Sequence, residues 1–286
     1  MKRNLMNVLT ASVAAIANMT AGYAQAGDTA QEVLKAAHQW EQAVATSDRA
    51  LLTRLAHGDL IIVSADGIVL HALASVPGSG GPAALDKDDF RVKVYSDEAA
   101  VVITTRPSRK SDDRVLSLWV KSGRAWKIAV EQSARIGGTA PVRPGRLSSD
   151  SAVASYDPSS DSGEEAAAVL KVELRFRTLA NRRLPLEQIM PLFTDEYLGI
   201  TREGIVETRE ELFARSTKGR TGRGSNPLPL AQPYRDVRTK VYGNTAVLTA
   251  EVVNGGENLR LLRILVKRAE EWKIANTVPT QIATSR

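Results

Sequence analysis

The 286-residue chain contains no cysteine, so neither a disulfide nor a lipidated cysteine can tie it down, and whatever fold it has rests on its apolar core. Histidine is scarce too, with His38, His57 and His71 all in the first half. A metal site would need His57, Asp59 and His71 to converge. The pair His57-Gly58 reads instead as a helix end, where a cation suits the dipole, so no metal and no cofactor is expected. Past the amino terminus no apolar run approaches the length that spans a bilayer. Charge of one sign is never concentrated. The 38 Lys and Arg outnumber the 32 Asp and Glu by six, but they are scattered and form no basic stripe interleaved with aromatics. Nucleic acid is not an expected partner.

The first 26 residues read as a secretory signal peptide. Lys2 and Arg3 precede a short apolar stretch from Val8 to Ala17, and Ala24-Gln25-Ala26 forms a small-residue cleavage site before Gly27. The expectation is a periplasmic or secreted protein. Removing Lys2 and Arg3 lowers the formal charge from +6 to +4 (6 − 2).

The strongest pattern is an internal repeat. Trp-Lys-Ile-Ala occurs at residues 126–129 and again at 272–275, an offset of 146 (272 − 126). Trp119-Val120-Lys121 matches Leu265-Val266-Lys267, and Ile136 matches Ile282, at the same offset. Lys93-Val94-Tyr95 matches Lys240-Val241-Tyr242, while Gly67-Ile68-Val69 matches Gly204-Ile205-Val206 and Asp59 matches Asp195 at smaller offsets. The second copy therefore carries about ten extra residues in its middle, where a capped helix replaces the loop that begins at Ser75.

Each copy predicts helices followed by strands. In the first, Val33, Ala37, Trp40 and Val44 make the stripe of an amphipathic helix over 31–47. Asp48 caps a short second helix bearing Leu51, Leu52 and Leu55. A hairpin turns at Asp66-Gly67, and strands follow over 90–95, 99–105, 114–121 and 125–136. Residues 137–163, rich in Ser, Pro and Gly, read as a linker. In the second copy Val169, Val172, Phe176 and Leu179 form the helix stripe, Phe176 standing where Trp40 stands. A short helix over 186–193, a hairpin over 197–206, a capping box at Thr208 and Glu211, and strands near 234–242, 246–253, 258–267 and 272–282 complete it. The expected domains are 27–136 and 164–284. Each is α+β, with helices covering a curved antiparallel sheet.

This order resembles the nuclear transport factor 2-like superfamily, in particular its DUF4440 and SnoaL-like branch. The residues that carry the likeness are the Ser-Ala-Asp-Gly hairpin at 64–67, the Tyr-Ser-Asp-Glu-Ala turn at 95–99 and Leu-Trp-Val-Lys-Ser-Gly-Arg-Ala-Trp-Lys-Ile-Ala at 118–129. The resemblance covers nearly the whole chain after the leader, as a tandem pair. It implies two cones with open mouths, each a place for a ligand. It does not imply an activity, since the superfamily includes isomerases, dehydratases, ligand binders and interaction modules. The base-bearing position of its ketosteroid isomerase branch falls on Ser64 and Ile200, and the late-strand histidine of other branches falls on Val130, Gln132, Asn276 and Val278. None can act as that base.

The expected pocket residues are Trp40, His71 and Gln132 in the first unit and Phe176 and Tyr197 in the second, with His71 the weak candidate for acid–base work. Glu131 and Gln132 alternate across the last strand, so one of the two faces the cone. The basic, Gly-rich segment 215–225 lacks the ending of a P-loop and reads as a solvated loop, with anion binding at the cone mouth as its functional alternative. The function expected is non-catalytic binding of a small apolar or mixed-polarity ligand, or of a protein partner. An isomerase, lyase or hydrolase working in the first cone is the alternative. A domain–domain or homodimer contact through the sheets is the structural reading.

Overall fold

The computed structural model describes residues 27–70, 90–107, 112–137, 163–181, 185–221, 234–254 and 257–282. The expected signal peptide, nearly all of the expected linker and His71 lie outside them. Helix α1 covers residues 27–46, and Val33, Ala36, Ala37, Trp40, Ala43 and Val44 are its buried stripe. The chain turns at Ser47, with φ 57°, and Asp48 caps α2 (Arg49–Leu55) by accepting from the Leu51 amide at 3.0 Å. Extended backbone at Ala56 ends α2 and starts β1 (Ala56–Val63). That strand begins ahead of the residues expected for it, so His57 lies on a strand and not at a helix terminus. Its ring meets Tyr242 of the second unit edge-on at 5.4 Å.

The rest of the first unit is β2 (Val69–Leu70), β3 (Arg91–Ser96), β4 (Ala99–Arg106), β5 (Asp113–Ser122) and β6 (Ala125–Arg135). The second unit repeats the plan with α3 (Glu164–Asn181), α4 (Leu186–Ile189), a 3-10 turn (Met190–Leu192), β7 (Phe193–Ile200), β8 (Val206–Thr208), α5 (Arg209–Thr221), β9 (Tyr234–Tyr242), β10 (Thr245–Asn254), β11 (Glu257–Arg268) and β12 (Glu271–Gln281). The capping box forms as the spacing demands: the Thr208 amide donates to Glu211 Oε2 at 2.7 Å, and the Glu211 amide to Thr208 Oγ1 at 3.3 Å.

Each sheet has six strands, in the orders β2-β1-β6-β5-β4-β3 and β8-β7-β12-β11-β10-β9. They are mixed, not wholly antiparallel as expected. The last strand of each unit returns beside the first and runs parallel to it, pairing Ile62 with Glu131 in one unit and Thr277 with Gly199 in the other. Even the register shift repeats, between Leu118 and Trp119 in β5 and between Ile264 and Leu265 in β11.

The sheets bury both faces, which explains the unbroken apolar run Ala99–Ile103. Ala100, Val102 and Trp119 face α1, while Val101, Ile103, Leu116, Leu118 and Val130 form one cluster with Leu262, Ile264, Val266 and Val278 of the other unit. The two units therefore pack sheet against sheet. Polar bonds cross the seam: Tyr95 Oη donates to Asn276 Oδ1 at 2.6 Å, and Thr280 Oγ1 to the Ser133 carbonyl at 2.8 Å. Among the described residues no helix is long and apolar enough to cross a membrane.

The hairpin glycines lock the pair reciprocally. Gly67 and Gly204 have φ of +74° and +75°, and a Cβ on either would come within 2.9 Å of the Cα of Ile282 or of Ile136 in the opposite unit. We expect Gly204→Ala to cost about 1–3 kcal/mol from the left-handed conformation alone, with the clash added to it. An urea midpoint unchanged by the substitution would contradict this packing.

Candidate functional site

The second unit holds a cavity of about 740 Å³ between its sheet, α3 and α5. One wall is aromatic. Phe193, at the start of β7, meets Phe176 of α3 at 5.5 Å, Tyr197 at 5.1 Å and Phe213 of α5 at 5.5 Å, each edge to face. Residues 193 and 197 share a face of β7 because side chains repeat every second position. Gly199 continues that face, and its lack of a side chain makes room for the Tyr197 hydroxyl.

The inner end of the cavity is polar. Arg263 of β11 is 4% exposed, and its guanidinium lies over the Phe176 ring at 4.4 Å. Its Nε pairs with the Glu173 carboxylate, and its Nη1 donates to Thr277 Oγ1 at 2.6 Å. Glu173, wholly buried on α3, also accepts from Arg177 at 3.3 Å and from the Tyr234 hydroxyl. Burial pushes the Tyr197 phenol up to about 12, against a hydrogen bond with Thr277. Nearer the mouth, Arg215 grips Glu207 with three contacts of 2.8–3.0 Å.

The first unit encloses a different polar set. Arg106 of β4 donates to Glu41 at 2.6 and 2.8 Å and to Glu131 at 2.7 and 2.9 Å, while Trp40 Nε1 donates to Glu131 at 2.7 Å. Burial raises Glu41 above the ordinary carboxylate value despite Arg106. For Glu131 the same burial penalty is outweighed by Arg106 and Trp40, and its carboxyl is lowered. Neither is a relaxed base waiting for a proton.

Of the residues singled out from the sequence, Phe176 and Tyr197 line the second cavity. Trp40 is buried against Glu131. Gln132 does not face its cone. Its Nε2 donates to the Val278 carbonyl at 2.7 Å and to Thr280 Oγ1 at 2.9 Å, across the seam, because β6 turns odd residues to α1 at this point and even ones to the second sheet. Glu131 holds the inward position. Arg263 and Glu173 were not singled out for the cavity, whereas Arg215, the first residue of the basic segment 215–225, does line it, tied to Glu207. A signal existed for Glu173, which follows Val172 on the apolar stripe of α3 three residues before Phe176. Among the described residues no three His, Asp or Glu side chains gather as a metal site would require.

No family model matches this chain, and no curated protein matches it. Solved structures do. An NTF2-like protein from Cytophaga hutchinsonii is 20% identical over 42% of this chain and 99% of its own, with a TM-score of 0.36. A ketosteroid isomerase-like protein from Erwinia carotovora atroseptica is 16% identical over 43% of this chain and 99% of its own, also at 0.36. An NTF2-like protein of unknown function from Silicibacter pomeroyi is 17% identical over 41% of this chain and 96% of its own, at 0.34. Each such chain is the size of one unit. By its own geometry the protein is α+β, two tandem units of one topology joined at their sheets.

Proposed function

We propose that the protein is exported and binds a small ligand of mixed polarity, without catalysis, in the cone of its second unit. The observation that carries this reading is the cavity itself: about 740 Å³, walled by Phe176, Phe193 and Tyr197 and ended by an oriented arginine. Chemistry on the ligand has less support. Glu207 is tied to Arg215, Glu173 lies behind Arg263, and the Tyr197 phenol is held at about 12, so the polar groups orient a guest and none is poised to take its proton. Export is supported by the n-region, short apolar stretch and Ala24-Gln25-Ala26 site.

The test uses methyl 2-naphthoate, an uncharged fluorescent probe with an apolar body and one carbonyl. We expect saturable binding to the wild-type protein and a loss of about tenfold or more in Leu212→Trp, whose indole would fill the cavity from α5. The melting temperature of the variant should stay within a few degrees of wild type. Equal binding by the variant, or none by wild type, would overturn the reading.

A further inference from the structure

We propose that the ligand of the second cone is a monocarboxylate, taken by Arg263 through its free guanidinium edge. This rests on the reading of that cavity as a binding site and adds the chemical class of the guest.

The argument starts from how Arg263 is held. Three contacts fix its plane and direction: the Phe176 face at 4.4 Å, Glu173 at Nε and Thr277 Oγ1 at Nη1. An arginine has five N–H donors in a planar fork. Nε lies against Glu173 Oε2 as an ion pair, out of line for a hydrogen bond, and one Nη1 hydrogen goes to Thr277, while the Nη2 edge has no acceptor among the described residues. Arg263 is itself part of the cavity lining, so this edge is the part of its fork left for a guest. Burying a charged donor without an acceptor costs free energy, and an arginine held this firmly gives up little side-chain freedom when it takes one.

The neighbouring carboxylates do not compete for that edge. Glu207 is held by Nε and Nη2 of Arg215, Glu203 is engaged by Arg202 at 2.7 Å, and Glu211 accepts from the Thr208 amide. Glu173 lies against Nε, on the other side of the guanidinium. The walls decide between anions. Phe176, Phe193, Ile200 and Leu259 offer nothing to a second charge, and the other arginines of the lining, Arg202 and Arg215, are engaged by Glu203 and Glu207, so a dianionic phosphate would lose more hydration than one guanidinium edge returns. A carboxylate joined to an apolar or aromatic body fits both ends of the space.

This arrangement is particular to the second unit. Ser117 occupies the place of Arg263, at the offset of 146 (263 − 117), and its hydroxyl accepts from Trp119 Nε1 at 2.9 Å. In the first unit the interior arginine, Arg106, spends its donors on Glu41 and Glu131. Among the described residues the first cone therefore offers no equivalent carboxylate edge.

The experiment compares three probes on the full-length mature protein: 2-naphthoate, its uncharged methyl ester and 2-naphthylmethylamine. We expect 2-naphthoate to bind about tenfold tighter than the ester, with the amine weakest. That preference should disappear in Arg263→Met paired with Glu173→Gln, a double variant that removes both partners of this ion pair and leaves Arg177, the other cation beside Glu173, against the Tyr234 hydroxyl. Arg263→Lys, which keeps the charge but not the fork, should lose most of it. Ester binding equal to or tighter than naphthoate would overturn the carboxylate assignment while leaving the cavity reading intact. No binding by any probe would overturn both. A naphthoate preference that survives in the double variant would also overturn the assignment to Arg263. None of these readings depends on a variant alone, because the wild-type comparison of acid with ester already decides the sign.

Discussion

Replacing Arg106 with Leu will destabilise the first unit by about 3–5 kcal/mol, among the largest effects of any single substitution outside the seam. The reason is asymmetry of charge. One guanidinium serves two carboxylates, with Glu41 6% and Glu131 2% exposed at their side chains. Taking the cation away strands both acids in a place that water does not reach, and each must either stay charged without a partner or take up a proton. The two acids are not equivalent. Glu131 accepts from Trp40 as well as Arg106 and is lowered below its ordinary value of 4.5, whereas Glu41 is raised above it by burial. The sign of each pH dependence follows. The lowered Glu131 contributes stability that is present above 4.5 and lost as pH falls through its folded value. The raised Glu41 acts oppositely: its contribution is complete below 4.5 and is lost as pH rises through its folded value. Wild-type stability should therefore decline on the alkaline side of 4.5 by the part due to Glu41, and Glu41→Gln should remove that decline. Urea midpoints measured across about pH 5 to 8 test it. A Glu41→Gln curve parallel to wild type, or an Arg106→Leu protein as stable as wild type, would refute the account.

Much of this architecture could be read from the residues, and the reasons differ by element. The tandem plan was legible because a duplicated unit keeps its turn chemistry and its closing strands: Trp126 and Trp272 have the same place, and each donates from Nε1 to a glutamate of its unit's first helix, Glu32 and Glu165. Asp48 and the pair Thr208 and Glu211 were legible because caps act within one turn of backbone. Phe176 and Tyr197 were legible as the aromatic positions of a helix and a first strand that must face one another. What sequence could not supply is which face of a strand meets which neighbour. Alternation places Glu131 and Gln132 on opposite sides of β6, but only the docked second sheet makes Gln132 the seam residue. The parallel pairing of β1 with β6 is equally non-local. Arg263 was hidden for a related reason. In a run of Leu, Ile and Val an arginine reads as an outward residue, and its inward direction depends on Glu173, ninety residues earlier (263 − 173), and on Phe176 beneath it.

A protease site built into residues 138–162 and cut to completion should leave the two units together. Among the described residues the seam is made of central strands. Val101, Ile103, Leu116, Leu118 and Val130 on one sheet interlock with Leu262, Ile264, Val266 and Val278 on the other, all nearly or wholly buried. Exposing them would leave a continuous apolar face on each half, and faces of this kind are covered in stable proteins. The polar bonds through the seam fix its alignment, since Gln132, Tyr95 and Thr280 each find a partner in the opposite unit at 2.9 Å or less. An interface with this composition resembles a core cut in half, for which a dissociation constant of about micromolar or tighter is the ordinary outcome. The nicked protein should therefore elute from a sizing column as one body when loaded well above micromolar concentration, about 100 μM, and separate on strong dilution or in denaturant. Residues 27–137 made alone should aggregate or pair with a second copy through the same face. Halves that part after the cut in native buffer, each remaining monomeric and folded, would show that the sheets merely touch, and the second cone would then have to be treated as an independent domain.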